Sequence, residues 1–128
     1  MIDKLTCKDR VETHKNSRIE DLRKFQESED YELNDGSNVF EYGLSWDYVE
    51  PETFDDQPDG YFRYQISWGG PSEEIRYYVD ADDVPRDGYL GDMTRVEFWL
   101  LDWFDGACIE LVGDDLGIAL WIAELHLG

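Results

Sequence analysis

The chain contains no lysine beyond Lys24, and after residue 30 its only cationic side chains are Arg63, Arg76, Arg86 and Arg95. Proteins that bind nucleic acid draw much of their affinity from Lys and Arg displacing counterions, so direct binding to DNA or RNA is argued against. Cysteine is scarce as well. Cys7 and Cys108 have no CxxC spacing and no histidine cluster nearby, which removes the basis for a metal ribbon or a dithiol redox motif and points to a reducing compartment. The two histidines, His14 and His126, have no partner in the sequence, and no phosphate loop or nucleophile accompanies them. No stretch approaches the ~20 apolar residues of a membrane span. The opening Met1-Ile2-Asp3-Lys4-Leu5-Thr6-Cys7-Lys8 places charges where a signal peptide needs an apolar run. A cytoplasmic protein without membrane contact is expected.

What the chain has in excess is acid. Its 128 residues carry 31 Asp and Glu against 11 Lys and Arg, for a net charge of −20. The imbalance is uneven. Residues 1–30 hold seven cations against eight acids, while residues 31–128 hold four arginines against 23 acids and so carry nineteen of the twenty net charges. A compact chain of this length has a radius of gyration of about 14 Å and hence a diameter of roughly 36 Å. The same length of duplex DNA carries roughly 21 charges, so the protein approaches DNA in linear charge density. Such a field repels itself and speeds association with basic partners.

Acidity of this degree suggests disorder, but five Trp, eight Tyr and six Phe supply ample surface to bury. The length suits one domain with a real core, here a near-neutral helical segment over 1–30 and an acidic, aromatic-rich sheet over 31–128. Ser17-Arg18-Ile19-Glu20 has the form of a capping box, predicting a helix over Ser17 to Glu29, with a weaker helical turn over Leu5 to Glu12. From Val39 the period becomes two. Phe40, Tyr42, Leu44, Trp46 and Tyr48 alternate with polar residues or glycine, and Phe62, Tyr64, Ile66 and Trp68 repeat the pattern.

After the break at Gly69-Gly70-Pro71-Ser72, Ile75, Tyr77 and Val79 complete an antiparallel hairpin. Arg95 to Phe104 suits a central strand covered on both faces. Asp105-Gly106 signals a turn before a strand over Cys108 to Val112. Asp114 or Asp115 then caps a helix through Glu124, with Leu116, Leu120 and Trp121 facing the sheet. The expected fold is α+β, an antiparallel sheet of four or five strands with helices at both ends of the chain. There is no internal repeat or low-complexity tract.

Several chemical readings fail on their own terms. Asp55-Asp56-Gln57-Pro58-Asp59-Gly60 starts like a calcium loop, but position twelve is Ile66 in place of the bidentate Glu. Asp102 and Asp105 flank Trp103 and Phe104 and invite an acid/base reading, without a nucleophile to serve. Ser67 to Ser72 lacks the Lys of a phosphate loop and is followed by Glu73-Glu74. No catalytic residue, cofactor or metal is therefore expected. The acids remain as the candidate partner-binding set: Asp47, Glu50, Glu52, Asp55, Asp56, Asp59, Glu73, Glu74, Asp80, Asp82, Asp83, Asp87 and Asp92. Most fall in predicted connections, where they can gather on one rim.

The stretches Glu41 to Val49, Gly60 to Ser72 and Phe98 to Ala107, with Ser67-Trp68-Gly69-Gly70-Pro71-Ser72 as the distinctive block, resemble a group of small accessory proteins of plasmids, integrated elements and phages. With their spacers they cover about half the chain. The resemblance implies a genomic setting and no active-site residues. In charge, size and setting the chain also resembles antirestriction and anti-CRISPR proteins, acidic proteins that imitate DNA; its near-neutral amino-terminal helix departs from that pattern. The resulting expectation is a non-enzymatic inhibitor that occupies the basic surface of a host DNA-binding protein or nucleoprotein complex. The alternative is an interaction or regulatory module that uses an aromatic sheet face. The sequence leaves the oligomeric state open, a dimer included.

Overall fold

The computed structural model describes residues 6–33, 35–69, 71–80, 93–102 and 105–127, and all of their side chains except Glu29 and Leu127. The amino-terminal region forms one helix, α1, over Cys7–Glu27. Thr6 caps it: the Thr6 amide donates to the Asp9 carboxylate at 3.0 Å, and the Asp9 amide donates back to the Thr6 hydroxyl at 3.3 Å. This reciprocal box replaces the expected start at Ser17, which is an exposed mid-helix residue. Cys7, Val11, Ile19, Leu22 and Phe25 are its buried residues.

A short 3-10 turn over Glu29–Tyr31 follows, and then a single helical turn, α2, over Val39–Tyr42. The strand expected from Val39 is overturned there. The Asn38 side chain accepts from the Phe40 amide at 2.8 Å, and this cap closes a turn that the alternating pattern does not reveal. Extended structure begins with β1, Ser45–Val49, and continues through β2, Tyr61–Ser67, β3, Ser72–Val79, β4, Met93–Asp102, and β5, Asp105–Glu110. Among the described residues these strands form one antiparallel meander in the order β1-β2-β3-β4-β5. Asp105-Gly106 lies inside β5 rather than in a turn.

Helix α3, Gly113–Leu127, closes the fold, with Gly113 taking a left-handed φ of 58° at the strand-to-helix corner. Its buried stripe is Ile118, Ala119, Ile122 and Ala123; the expected Leu116, Leu120 and Trp121 are only partly buried beside it. Both helices cover one face of the sheet. In register across that face stand Tyr64, Ile75, Phe98 and Ile109, and beside them Phe62, Tyr77 and Val96. The Tyr77 hydroxyl donates to the Ala119 carbonyl at 2.7 Å and ties the sheet to α3. Each large side chain buried here contributes about 1.5–3 kcal/mol. The architecture is the expected single α+β domain with a five-stranded sheet.

Candidate functional site

The strand period of two sends the remaining side chains to the opposite face, away from both helices. Arg63, Arg76, Glu97 and Glu110 stand in register there, with Asp47 opposite Arg63 on β1. Gln65, Glu74, Trp99 and Cys108 form the next row, and Tyr61, Tyr78 and Arg95 another. The segment expected to be a strand covered on both faces is therefore two-sided: Val96, Phe98 and Leu100 are buried, while Arg95, Glu97, Trp99 and Leu101 belong to the open side. Trp103 and Phe104 lie outside the described residues.

The open face is rich in guanidinium stacks. Arg76 lies over the Trp99 ring at 4.0 Å and over Tyr61 at 4.8 Å, and Arg95 lies over Tyr78 at 3.9 Å. Each cation also has a carboxylate partner. Arg76 donates to Glu74 at 2.7 Å, Arg95 to Glu97 at 3.2 Å, and Arg63 to both oxygens of Asp47 at 3.0 and 2.6 Å. Burial works against the charge on Arg76, but Glu74 and the neighbouring tyrosines outweigh it and hold the guanidinium above its ordinary pKa. Burial likewise pushes the Tyr61 phenol up.

The connection between β1 and β2 overhangs this face. Gln57 organises it: its carbonyl accepts from the Phe54 amide at 3.0 Å, and its amide donates to the Glu50 and Asp59 carbonyls, each at 2.9 Å. Glu52 and Asp56 both adopt left-handed φ values, 65° and 56°, that this tight path requires. Between the connection and the sheet lies a cleft of about 580 Å³, with Phe54, Asp55, Asp56, Asp59, Trp68 and Trp99 among its walls. Two of these aromatics are largely in solvent, Trp68 at 75 % and Phe54 at 52 % exposure.

The thirteen candidate acids divide sharply. Glu50, Glu52, Asp55, Asp56 and Asp59 share the β1–β2 connection, and all but the half-buried Asp59 are exposed. Asp47 is neutralised by Arg63, and Asp80 is exposed at the end of β3. Asp82, Asp83, Asp87 and Asp92 lie outside the described residues. Glu73 and Glu74 do not belong to an exposed rim. They are 4 % and 2 % exposed and are paired within the chain. The two sit side by side on β3, so the alternation that sends Glu74 to the open face points Glu73 under α1.

There Glu73 accepts from Arg18 Nη2 at 2.6 Å and from the Ser67 hydroxyl at 2.8 Å, with His14 Nδ1 at 3.0 Å. Burial pushes the Glu73 carboxyl up, yet the bonds from Arg18, His14 and Ser67 together leave it below its ordinary value. Arg18 also donates to the Tyr42 hydroxyl at 3.0 Å, which donates to Asp21 at 2.6 Å. Asp102 and Asp105, weighed above as an acid/base pair, hold the start of α1. Asp102 pairs with Arg10 at 2.8 Å, and Asp105 accepts from the Cys7 amide at 2.7 Å, the bond that chiefly lowers its pKa. Burial raises both thiols, Cys7 and Cys108, favouring their neutral forms.

The aromatic cleft went unforeseen, although Trp68 was visible as the strand pattern's last member, standing just beyond the end of β2. No protein-family model matches the chain, and no curated protein or solved structure matches it. Among the described residues no group of three or more His, Cys, Asp and Glu side chains could hold a metal ion. No helix of the described residues is long and apolar enough to cross a membrane. What the open face offers chemically is a set of fixed carboxylates beside exposed aromatic rings, an arrangement suited to binding.

Proposed function

We propose that this protein is a non-enzymatic binding protein whose acidic surface docks on the basic surface of a DNA-binding protein or complex, acting as a DNA-like inhibitor of the kind mobile elements direct against restriction or CRISPR systems. The observation that carries this reading is the fate of the cations. Seven of the nine described Lys and Arg side chains, all except Lys8 and Lys24, are tied to carboxylates of the same chain. Among the described residues Glu50, Glu52, Asp55, Asp56 and Asp59 take no part in those ion pairs, and all five are gathered on one braced connection. A field of one sign steers association, and a fixed array pairs with arginines at little ordering cost.

The test is capture of partners from host lysate at low salt, eluted stepwise with increasing salt. A basic DNA-binding protein should elute within the gradient and be displaced by duplex DNA. The triple variant Asp55→Asn, Asp56→Asn, Asp59→Asn should lose that partner while keeping its thermal midpoint. Unchanged retention by this variant refutes the reading.

The exposure of Trp68 and Phe54 favours a second reading, an interaction module whose aromatic face makes the contact. Its complex should survive moderate salt and fail on Trp68→Ala.

A further inference from the structure

Four aromatic rings line the cleft: Phe54, Trp68, Tyr78 and Trp99. The chain itself covers two of them with guanidinium groups, Arg95 over Tyr78 and Arg76 over Trp99. Each of those arginines is held at its edge by a carboxylate, Glu97 or Glu74. The same local unit therefore occurs twice, a ring, a guanidinium stacked on it, and an acid fixing the guanidinium. Trp68 and Phe54 have the ring, and Asp55, Asp56 and Asp59 in the same walls have the acids. Among the described residues neither ring carries a cation, and none of the three acids has a cationic partner. The cleft as a whole sets five carboxylates against three guanidiniums, so it favours a positive occupant.

We infer that this cleft is a docking site for an arginine side chain of a protein partner, its guanidinium stacking on Trp68 and pairing with the carboxylates of the β1–β2 connection. Arginine is favoured over lysine for physical reasons. Its planar, weakly hydrated head stacks on an indole and meets a carboxylate with two parallel bonds, whereas an ammonium is a strongly hydrated point charge. The volume of about 580 Å³ accommodates such a side chain with part of its neighbours. The inference rests on the basic-partner reading and adds to it the residue chemistry and the place.

Blocked octa-arginine and octa-lysine peptides serve as probes, titrated by calorimetry at low salt, with the Trp68 indole signal followed by NMR. Octa-arginine should bind about tenfold more tightly, the size of a well-formed guanidinium stack, and should shift the Trp68 indole. Trp68→Ala should erase that preference while leaving the thermal midpoint unchanged. Equal affinity for the two peptides, or a preference that survives Trp68→Ala, overturns the arginine site. If that equal binding still vanishes in the Asp55, Asp56, Asp59 triple variant, the acidic-surface reading stands without it. Failure of both peptides to bind overturns both.

Discussion

Removing Arg18 should cost the fold far more than removing any acid of the β1–β2 connection. Glu73 is buried, and Arg18 reaches it with Nε at 3.1 Å from both carboxylate oxygens and Nη2 at 2.6 Å from one. In Arg18→Met the carboxylate keeps, among the described residues, Ser67 and His14 as its side-chain hydrogen-bond partners. Stripping one partner from a buried pair costs about 3–5 kcal/mol, because the other charge stays desolvated. The Arg18 side chain is 27 % exposed, which places this case near the lower end, about 3 kcal/mol. For a domain of this size that lowers the thermal midpoint by about 12 °C. The double variant Arg18→Met, Glu73→Leu leaves no orphaned charge and should recover to within about 1 kcal/mol of wild type. Urea unfolding of the four proteins, followed by tryptophan fluorescence, measures the cycle. A loss below about 0.5 kcal/mol in Arg18→Met, or a double variant as weak as the two singles combined, refutes the structural role given to Glu73.

Truncating the brace in Gln57→Ala removes three hydrogen bonds to the backbone and should cost about 2 kcal/mol; faster hydrogen exchange at the Phe54 amide would report the loosened connection. Acid should act on Glu73 in a defined direction. Its carboxyl lies below the ordinary 4.5 in the folded state, so its contribution is present above that value and is lost as pH falls through the folded pKa. Relief of the general acidic repulsion acts oppositely, which makes the comparison differential. The stability gap between wild type and Glu73→Gln should be constant near neutral pH and close below about pH 4.5, as read from thermal midpoints across a pH series.

Where one side of an element meets core and the other meets water, the pattern was legible. β2 and β3 appear where Tyr64, Ile66, Ile75, Tyr77 and Val79 alternate with polar residues, and their hairpin follows the Gly-Gly-Pro break. Helix α1 was half hidden because its inward stripe is interrupted. Between Val11 and Ile19 the positions that meet the rest of the fold are His14, Lys15 and Arg18, which face Glu73 and Asp115. Cations that satisfy acids inside the fold look like surface in a periodicity count. The cap Thr6-Cys7-Lys8-Asp9 also departs from the usual capping-box pattern, since it carries Asp in place of Glu or Gln.

Composition located the acidic connection over 50–60, but it did not separate Glu73 and Glu74 from the exposed acids. That separation depends on strand register and on arginines from α1 and β3, and neither has a local signature. The cleft was invisible for a related reason. Its walls come from two connections and three strands that meet only in space.

The clasps that hold α1 also set an order of assembly. The Cys7 amide, Arg10 and Lys15 find Asp105, Asp102 and Asp115 roughly a hundred residues along the chain. During synthesis this helix emerges first and waits for its partners until β4, β5 and the start of α3 have been made. A chain stopped before β4 contains none of those three acids, and α1 then lacks β4, β5 and α3, the elements it packs against. Val11, Ile19, Leu22 and Phe25 then stay uncovered, and transiently exposed apolar surface of this kind makes a partly made chain prone to aggregate. Docking of α1 is thus conditional on synthesis through residue 115.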